Sequence, residues 1–170
     1  NDEFVLRYMP RRQFVKTLRG QTKTPGHFST DEFDEADYVA KLDPTSAMAA
    51  TYHAYRAISA AIFGDIPKLS LHIAYAIPLS ARLPGYYVTG TLRTLQCLEL
   101  CEKARALPPE ERAAVLAEME PHFKWLCARA ADAPENFLHL QRWIEAERAW
   151  AFESVWAAGT AFDAAVTECL

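Results

Sequence analysis

An all-α fold of antiparallel helical hairpins is what this sequence predicts, on three observations. Beyond residue 46, apolar side chains recur at spacings of three and four, the period of one helix face. Runs of strand-like alternation are almost absent. Residues 52–77 also match residues 141–166 at a shift of 89, small with small and large with large. In that alignment Ala57 meets Ala146, Ala60 meets Ala149, Phe63 meets Phe152, Ile66 meets Val155, Ile73 meets Phe162 and Ala76 meets Ala165. Leu69 against Ala158 is the exception. Small residues let two antiparallel helices approach closely, while large ones fill the groove toward the next pair.

The elements follow in chain order. Residues 4–19 carry apolar side chains at helical spacing, and Pro10 predicts a broken or two-part helix. GQTKTPGHF (20–28) has the composition of a loop. Ser29 with Glu32 fits a capping box opening a helix over 30–41, with Asp31 and Glu32 favourable in its first turn. LDPTS (42–46) closes that helix and begins the next. Three hairpins are then expected, over 46–83, 86–131 and 135–170. In the first, Gly64 marks the turn and Pro78 kinks or ends the second helix. In the second, Pro108 and Pro109 precede acidic first-turn residues, and Pro121 threatens helix continuity. The domain organisation expected is a capping region, 1–45, leading into a helical stack, 46–170.

Composition sets the outer bounds. The chain has 170 residues, 51% hydrophobic and 24% charged, enough to bury a sizeable core and too apolar for a disordered chain. No apolar run reaches the roughly 18 residues of a membrane span, so no membrane association is expected. The net charge of −4 is unevenly placed. Residues 1–24 hold six basic and two acidic side chains, whereas 25–45 hold six acidic and one basic. The basic head (Arg7, Arg11, Arg12, Lys16, Arg19) with Phe4, Tyr8 and Phe14 interleaved raises nucleic-acid binding. The adjoining acidic segment would repel a phosphate backbone, so the two segments are expected to attract each other or a neighbouring domain, and no nucleic-acid partner is expected.

The spacing also resembles the tetratricopeptide pattern. Ala146, Ala158, Phe162 and Ala165 have its gaps of 12, 4 and 3 between small, small, aromatic and small positions. The first copy supplies Ala57, Gly64, Ile73 and Ala76, and the predicted fold is therefore a tetratricopeptide-like right-handed solenoid. Three phrases resemble a family of large bacterial signalling proteins. QFVKTLRGQT (13–22) with FSTDEFDE (28–35) resembles the family's Arg-Gly-Leu-Thr segment and its Phe-Asp-Glu continuation. YHAYRAISAAIFGDIPK (52–68) resembles its helix ending in Phe-Gly-Asp, and residues 134–166 resemble its Pro-Glu-Asn-Phe and Tyr-Asp-Ala-Ala sequence. Departures are Gln21 where Leu is usual and Glu153 where a turn Gly is usual. Members carry a serine/threonine-kinase-like domain, a predicted ATPase, a helical-repeat region, a GAF domain and a histidine-kinase core. The resemblance implies a segment of the helical-repeat region with no catalytic, cofactor or metal residues of its own, and cysteines expected to stay reduced imply a cytoplasmic location.

No phosphate-binding glycine loop occurs. Cys97 and Cys101 with Cys127 and His122 fall short of a convincing zinc spacing and read as apolar packing thiols, while Cys169 completes four reduced cysteines. His27, His53, His72, His122 and His139 show no ligand spacing, and Ser59, Ser70 and Ser80 lie inside helices rather than on strained turns. The function expected is a scaffold or regulatory module making protein–protein or interdomain contacts, with homodimerisation through exposed terminal helices. The alternative is a small-ligand sensor with an aromatic pocket. The residues expected to face a partner or ligand are Tyr52, His53, Tyr55, Tyr86 and Tyr87. Ala57, Gly64, Ala76, Ala146, Ala158, Phe162 and Ala165 are expected to pack the repeat.

Overall fold

The computed structural model describes residues 2–167, with side chains for Leu6 and from Tyr8 onward. Cys169, and the side chains of Phe4, Val5 and Arg7, lie outside the described residues. Among the described residues the chain is all-helical, with no strand. It divides into two compact units at Leu92 and Arg93, within one helix.

The first unit opens with α1 (Asp2–Leu18), which runs unbroken through Pro10. Sequence reasoning predicted a break there, and a hydrogen bond from elsewhere in the unit explains its absence. Proline has no N–H to give the carbonyl four residues back. That carbonyl, Leu6 O, instead accepts the Tyr38 hydroxyl at 3.1 Å. The loop after α1 is tied down by Thr17, whose hydroxyl accepts the Gly26 N–H at 3.0 Å.

The second helix, α2 (Glu35–Ala40), is shorter than the predicted 30–41. Asp34 is its cap, accepting the Asp37 N–H at 3.0 Å, while Ser29 reaches across the loop to accept the Glu35 N–H at 3.1 Å. Phe33 turns toward Tyr38, ring centroids 5.6 Å apart, and the chain bends at residues 31–32 rather than starting a helix there. Phe28, Tyr38 and Tyr52 form the core here, packed by Leu6, Met9, Phe14, Phe33, Leu42 and Tyr55.

Helices α3 (Ala47–Ile62) and α4 (Ile66–Leu79) make a hairpin, with Ala54, Ala57 and Ala76 fully buried. Ser46 caps α3 through the Ala49 N–H, and Pro78 falls in the last turn of α4, which passes into a short 3-10 turn at Ser80–Arg82. The next helix, α5 (Val88–Ala106), carries the chain into the second unit.

There α6 (Arg112–Asp132) stays continuous through Pro121. It meets α5 where Cys101 Sγ lies 3.7 Å from Met119 Sδ, and where Arg93 donates to His122 Nδ1 at 2.8 Å. Helices α7 (Pro134–Phe152) and α8 (Val155–Thr167) form the closing hairpin, with Ile144, Ala146 and Ala151 fully buried.

Taken singly, the second helices of the α3/α4 and α7/α8 hairpins are capped alike at the shift of 89, whereas Ser46 caps α3 and no side chain caps α7. Asp65 Oδ1 accepts the Lys68 N–H at 3.1 Å, and Ser154 Oγ accepts the Ala157 N–H at 3.1 Å. The carbonyls of the same two residues accept from Leu69 and Ala158 at 2.9 and 3.0 Å. The turns before those caps differ. Gly64 takes a left-handed φ of +70°, whereas Glu153 has φ −118°, and α7 runs one residue further than its counterpart. A side chain resists the left-handed region, so the glutamate turns by another route.

Candidate interaction surfaces and the polar groups behind them

One carboxylate of the acidic segment is drawn into the first unit. Glu35, at the first position of α2, accepts the Phe28 N–H at 3.2 Å and the Tyr52 hydroxyl at 2.9 Å, and its Oε1 lies 2.8 Å from Arg56 Nε. The Arg56 side chain is 4% exposed and that of Glu35 14%. Arg56 also donates to Gly26 O, which Ser59 Oγ reaches at 3.0 Å, and its guanidinium lies 4.9 Å from the Phe28 ring centroid. A buried ion pair holds only when its remaining donors and acceptors are satisfied, and loop 20–34 supplies several of those partners. The pair therefore fastens the loop to α3. Gly26 itself allows this close approach, since a Cβ there would meet Phe63 at 3.3 Å in a backbone with φ +77°.

Of the charges on the acidic segment and the basic head, expected to attract each other, the ion pair formed among the described residues is Lys16 with Glu32, 3.7 Å apart with Glu32 80% exposed. Such a pair contributes little. Elsewhere in the head, the Arg11 guanidinium lies 5.5 Å from the Tyr55 ring.

Two histidines face each other across the α3/α4 hairpin. His53 Nδ1 lies 3.0 Å from His72 Nδ1, and the His53 ring stacks on Tyr75 with centroids 4.7 Å apart. One ring must donate and the other accept, so the arrangement requires at least one neutral imidazole. Burial, then the Arg56 charge, lower His53 to about 4 and His72 to about 3. Nearby, Lys68 Nζ lies 2.7 Å from His27 Nε2 and 2.9 Å from Asp65. Burial, then Lys68, lower His27 as well.

The five residues expected to face a partner or ligand are not gathered. Tyr52 is buried in the core and Tyr55 is packed against it. His53 is half-buried in the histidine pair, whereas Tyr86 and Tyr87 are exposed. Tyr86 borders a separate small recess of about 80 Å³ with Arg11, Met48, Thr51 and Arg82. Of the repeat-packing residues, Ala57, Ala76, Ala146, Ala158 and Ala165 are buried, Phe162 is half-buried, and Gly64 is exposed at its turn.

In the second unit Arg105 is the main polar junction. It pairs with Glu102 at 2.5 Å and Glu147 at 2.9 Å, and its guanidinium lies 4.1 Å from the Trp150 ring centroid. Glu147 also accepts the Trp143 indole N–H at 3.3 Å. Cys97 and Cys101 are fully buried; burial pushes the Cys101 thiol up to about 12 and Cys97 higher still. Thiols so shifted are poor nucleophiles and poor ligands. No group of three or more His, Cys, Asp or Glu among the described residues is placed to hold a metal. No helix among them is long and apolar enough to cross a membrane.

No protein-family model, curated protein or solved structure matches this chain.

Among the described residues, two surfaces stand out as candidates for a partner. On α8, Val155 is 77% exposed, Trp156 87% and Val166 60%, beside exposed Trp143 and Trp150 on α7. On the first unit, α1 and the α2 region enclose a cleft of about 300 Å³. Exposed terminal helices were expected from the sequence; the cleft was not, because it depends on Phe33 turning inward.

Proposed function

We propose that the chain is a non-catalytic, tetratricopeptide-like helical-repeat scaffold or regulatory module, acting through protein–protein or interdomain contacts. The bacterial signalling proteins it resembles, with their kinase-like, ATPase, GAF and histidine-kinase domains, are the setting proposed for it. The observation that carries this reading is the outward face of α8, where Trp156 and Val166 stand exposed while Ala158 and Ala165 of the same helix are buried. In a stack of hairpins, each outer face is covered by the next hairpin or by a partner. The matching N-caps of α4 and α8 support the same reading.

A photo-crosslinking amino acid in place of Trp156, activated in cells that express the chain, tests it. The expected result is a discrete adduct with a signalling polypeptide or a second copy, abolished when Val166→Asp is added. Failure to form any protein adduct counts against the scaffold. Catalytic turnover of a small substrate by the purified chain would replace it with an enzyme.

A further inference from the structure

A second surface, on the first unit, carries a more specific inference. The cleft between α1 and the α2 region has an apolar floor of Leu6, Met9, Phe33 and Tyr38. Among the described residues its rim bears Glu32, Asp34 and Asp37 with the amine of Lys41. All four rim residues are exposed. Glu35, the neighbouring carboxylate, is turned inward onto Arg56 and adds nothing to the rim. Lys16 pairs with Glu32 at 3.7 Å and offsets one of the three carboxylates in part. The floor is held in place, since Tyr38 is locked by its hydroxyl on Leu6 O and by its ring against Phe33 and Tyr52.

We propose that this cleft docks a short basic peptide segment, inserting one or two apolar side chains between flanking lysines or arginines. Size and charge select that occupant. A volume of about 300 Å³ stands at the small end of ligand pockets, with room for one or two side chains. Burying those side chains supplies non-directional attraction. The three carboxylates then favour cations on either side of the insertion and repel acidic sequences. The cleft is remote in sequence from the α8 surface and does not depend on the scaffold reading.

Fluorescence anisotropy with three labelled hexapeptides tests the proposal: RKLLRK, RKSSRK and DELLDE. The whole chain should bind RKLLRK with a Kd near or below about 100 μM, and at least tenfold more tightly than either other peptide. Salt raised from 50 to 500 mM should weaken binding, since the rim charges are exposed. The Glu32→Lys, Asp37→Lys double variant should weaken it at least tenfold, and Met9→Gln severalfold, with helical circular dichroism unchanged. Trp156→Asp should leave it unaltered, which separates this site from the α8 surface. Equal binding of RKLLRK and RKSSRK would overturn the proposal in favour of diffuse electrostatics. Loss of peptide binding through self-association, seen by sedimentation, would overturn it in favour of a second copy. Absence of RKLLRK binding would overturn it outright.

Discussion

Acidification should loosen the α3/α4 hairpin, and the facing histidines set the size of the effect. In an unfolded chain a histidine titrates near 6.5. In the fold, burial and Arg56 hold His53 near 4 and His72 near 3. Lys68 adds to the positive potential at His72, and Asp65 opposes it. Between pH 6.5 and about 4 the unfolded chain therefore binds more protons than the folded one, so stability rises with pH across that window. Above pH 6.5 both states are neutral and the effect vanishes. Each depressed histidine contributes a slope of about 1.4 kcal/mol per pH unit, so at pH 5 one histidine removes about 2 kcal/mol. The pair removes between about 2 and 4 kcal/mol, because the first protonation alters the second. That is a large part of the 5–15 kcal/mol typical of a domain.

Hydrogen exchange of the α3 and α4 amides, corrected for the intrinsic pH dependence of exchange, measures this locally. It is better suited than tryptophan fluorescence, since Trp125, Trp143, Trp150 and Trp156 all belong to the second unit. Protection should fall between pH 7 and 5 in wild type. It should fall much less in a His53→Gln, His72→Gln variant, where His27, also lowered, is the histidine left in the first unit. Protection that is flat from pH 7 to 5 in the wild type, or an undiminished slope in the variant, would refute the reasoning.

Three further outcomes are expected. Glu35→Gln should cost about 3 kcal/mol in urea unfolding, because it leaves the Arg56 charge buried without its counter-ion, and adding Arg56→Met should restore much of the loss. Gly64→Ala should cost about 1 kcal/mol from its left-handed backbone, with no steric clash, while Glu153→Gly at the matched turn should gain nothing. Mass-spectrometric mapping after alkylation at pH 8 should find Cys97 and Cys101 unmodified in the native chain and modified in urea, since burial withholds both access and the thiolate.

The helical class, the turn at Gly64 and the matching of small with small across 89 positions were legible in the sequence, because each depends on neighbours a few residues apart. Helical period reports which face is apolar, and alanines at close-packed positions report how near two helices come. Local signals misled where a distant group intervened. Pro10 reads as a break because its own segment cannot satisfy Leu6 O; Tyr38, 32 residues away, does so. Ser29 and Glu32 read as a capping box, yet Ser29 accepts the Glu35 N–H across the loop and Asp34, beside them, takes the cap.

The same division explains the candidate sites. Tyr52, Tyr55, Tyr86 and Tyr87 are alike as letters, yet packing sends the first two into or against the core and leaves the others at the surface. Of six acidic residues in the connector, the fold selects Glu35 for burial and leaves Glu32, Asp34 and Asp37 around a cleft. By itself the sequence determined that the chain forms helices and which of their residues are slim enough to touch, since those follow from local sterics and periodicity. Only the tertiary structure decided which charges and rings are buried, because that depends on residues brought together from far along the chain.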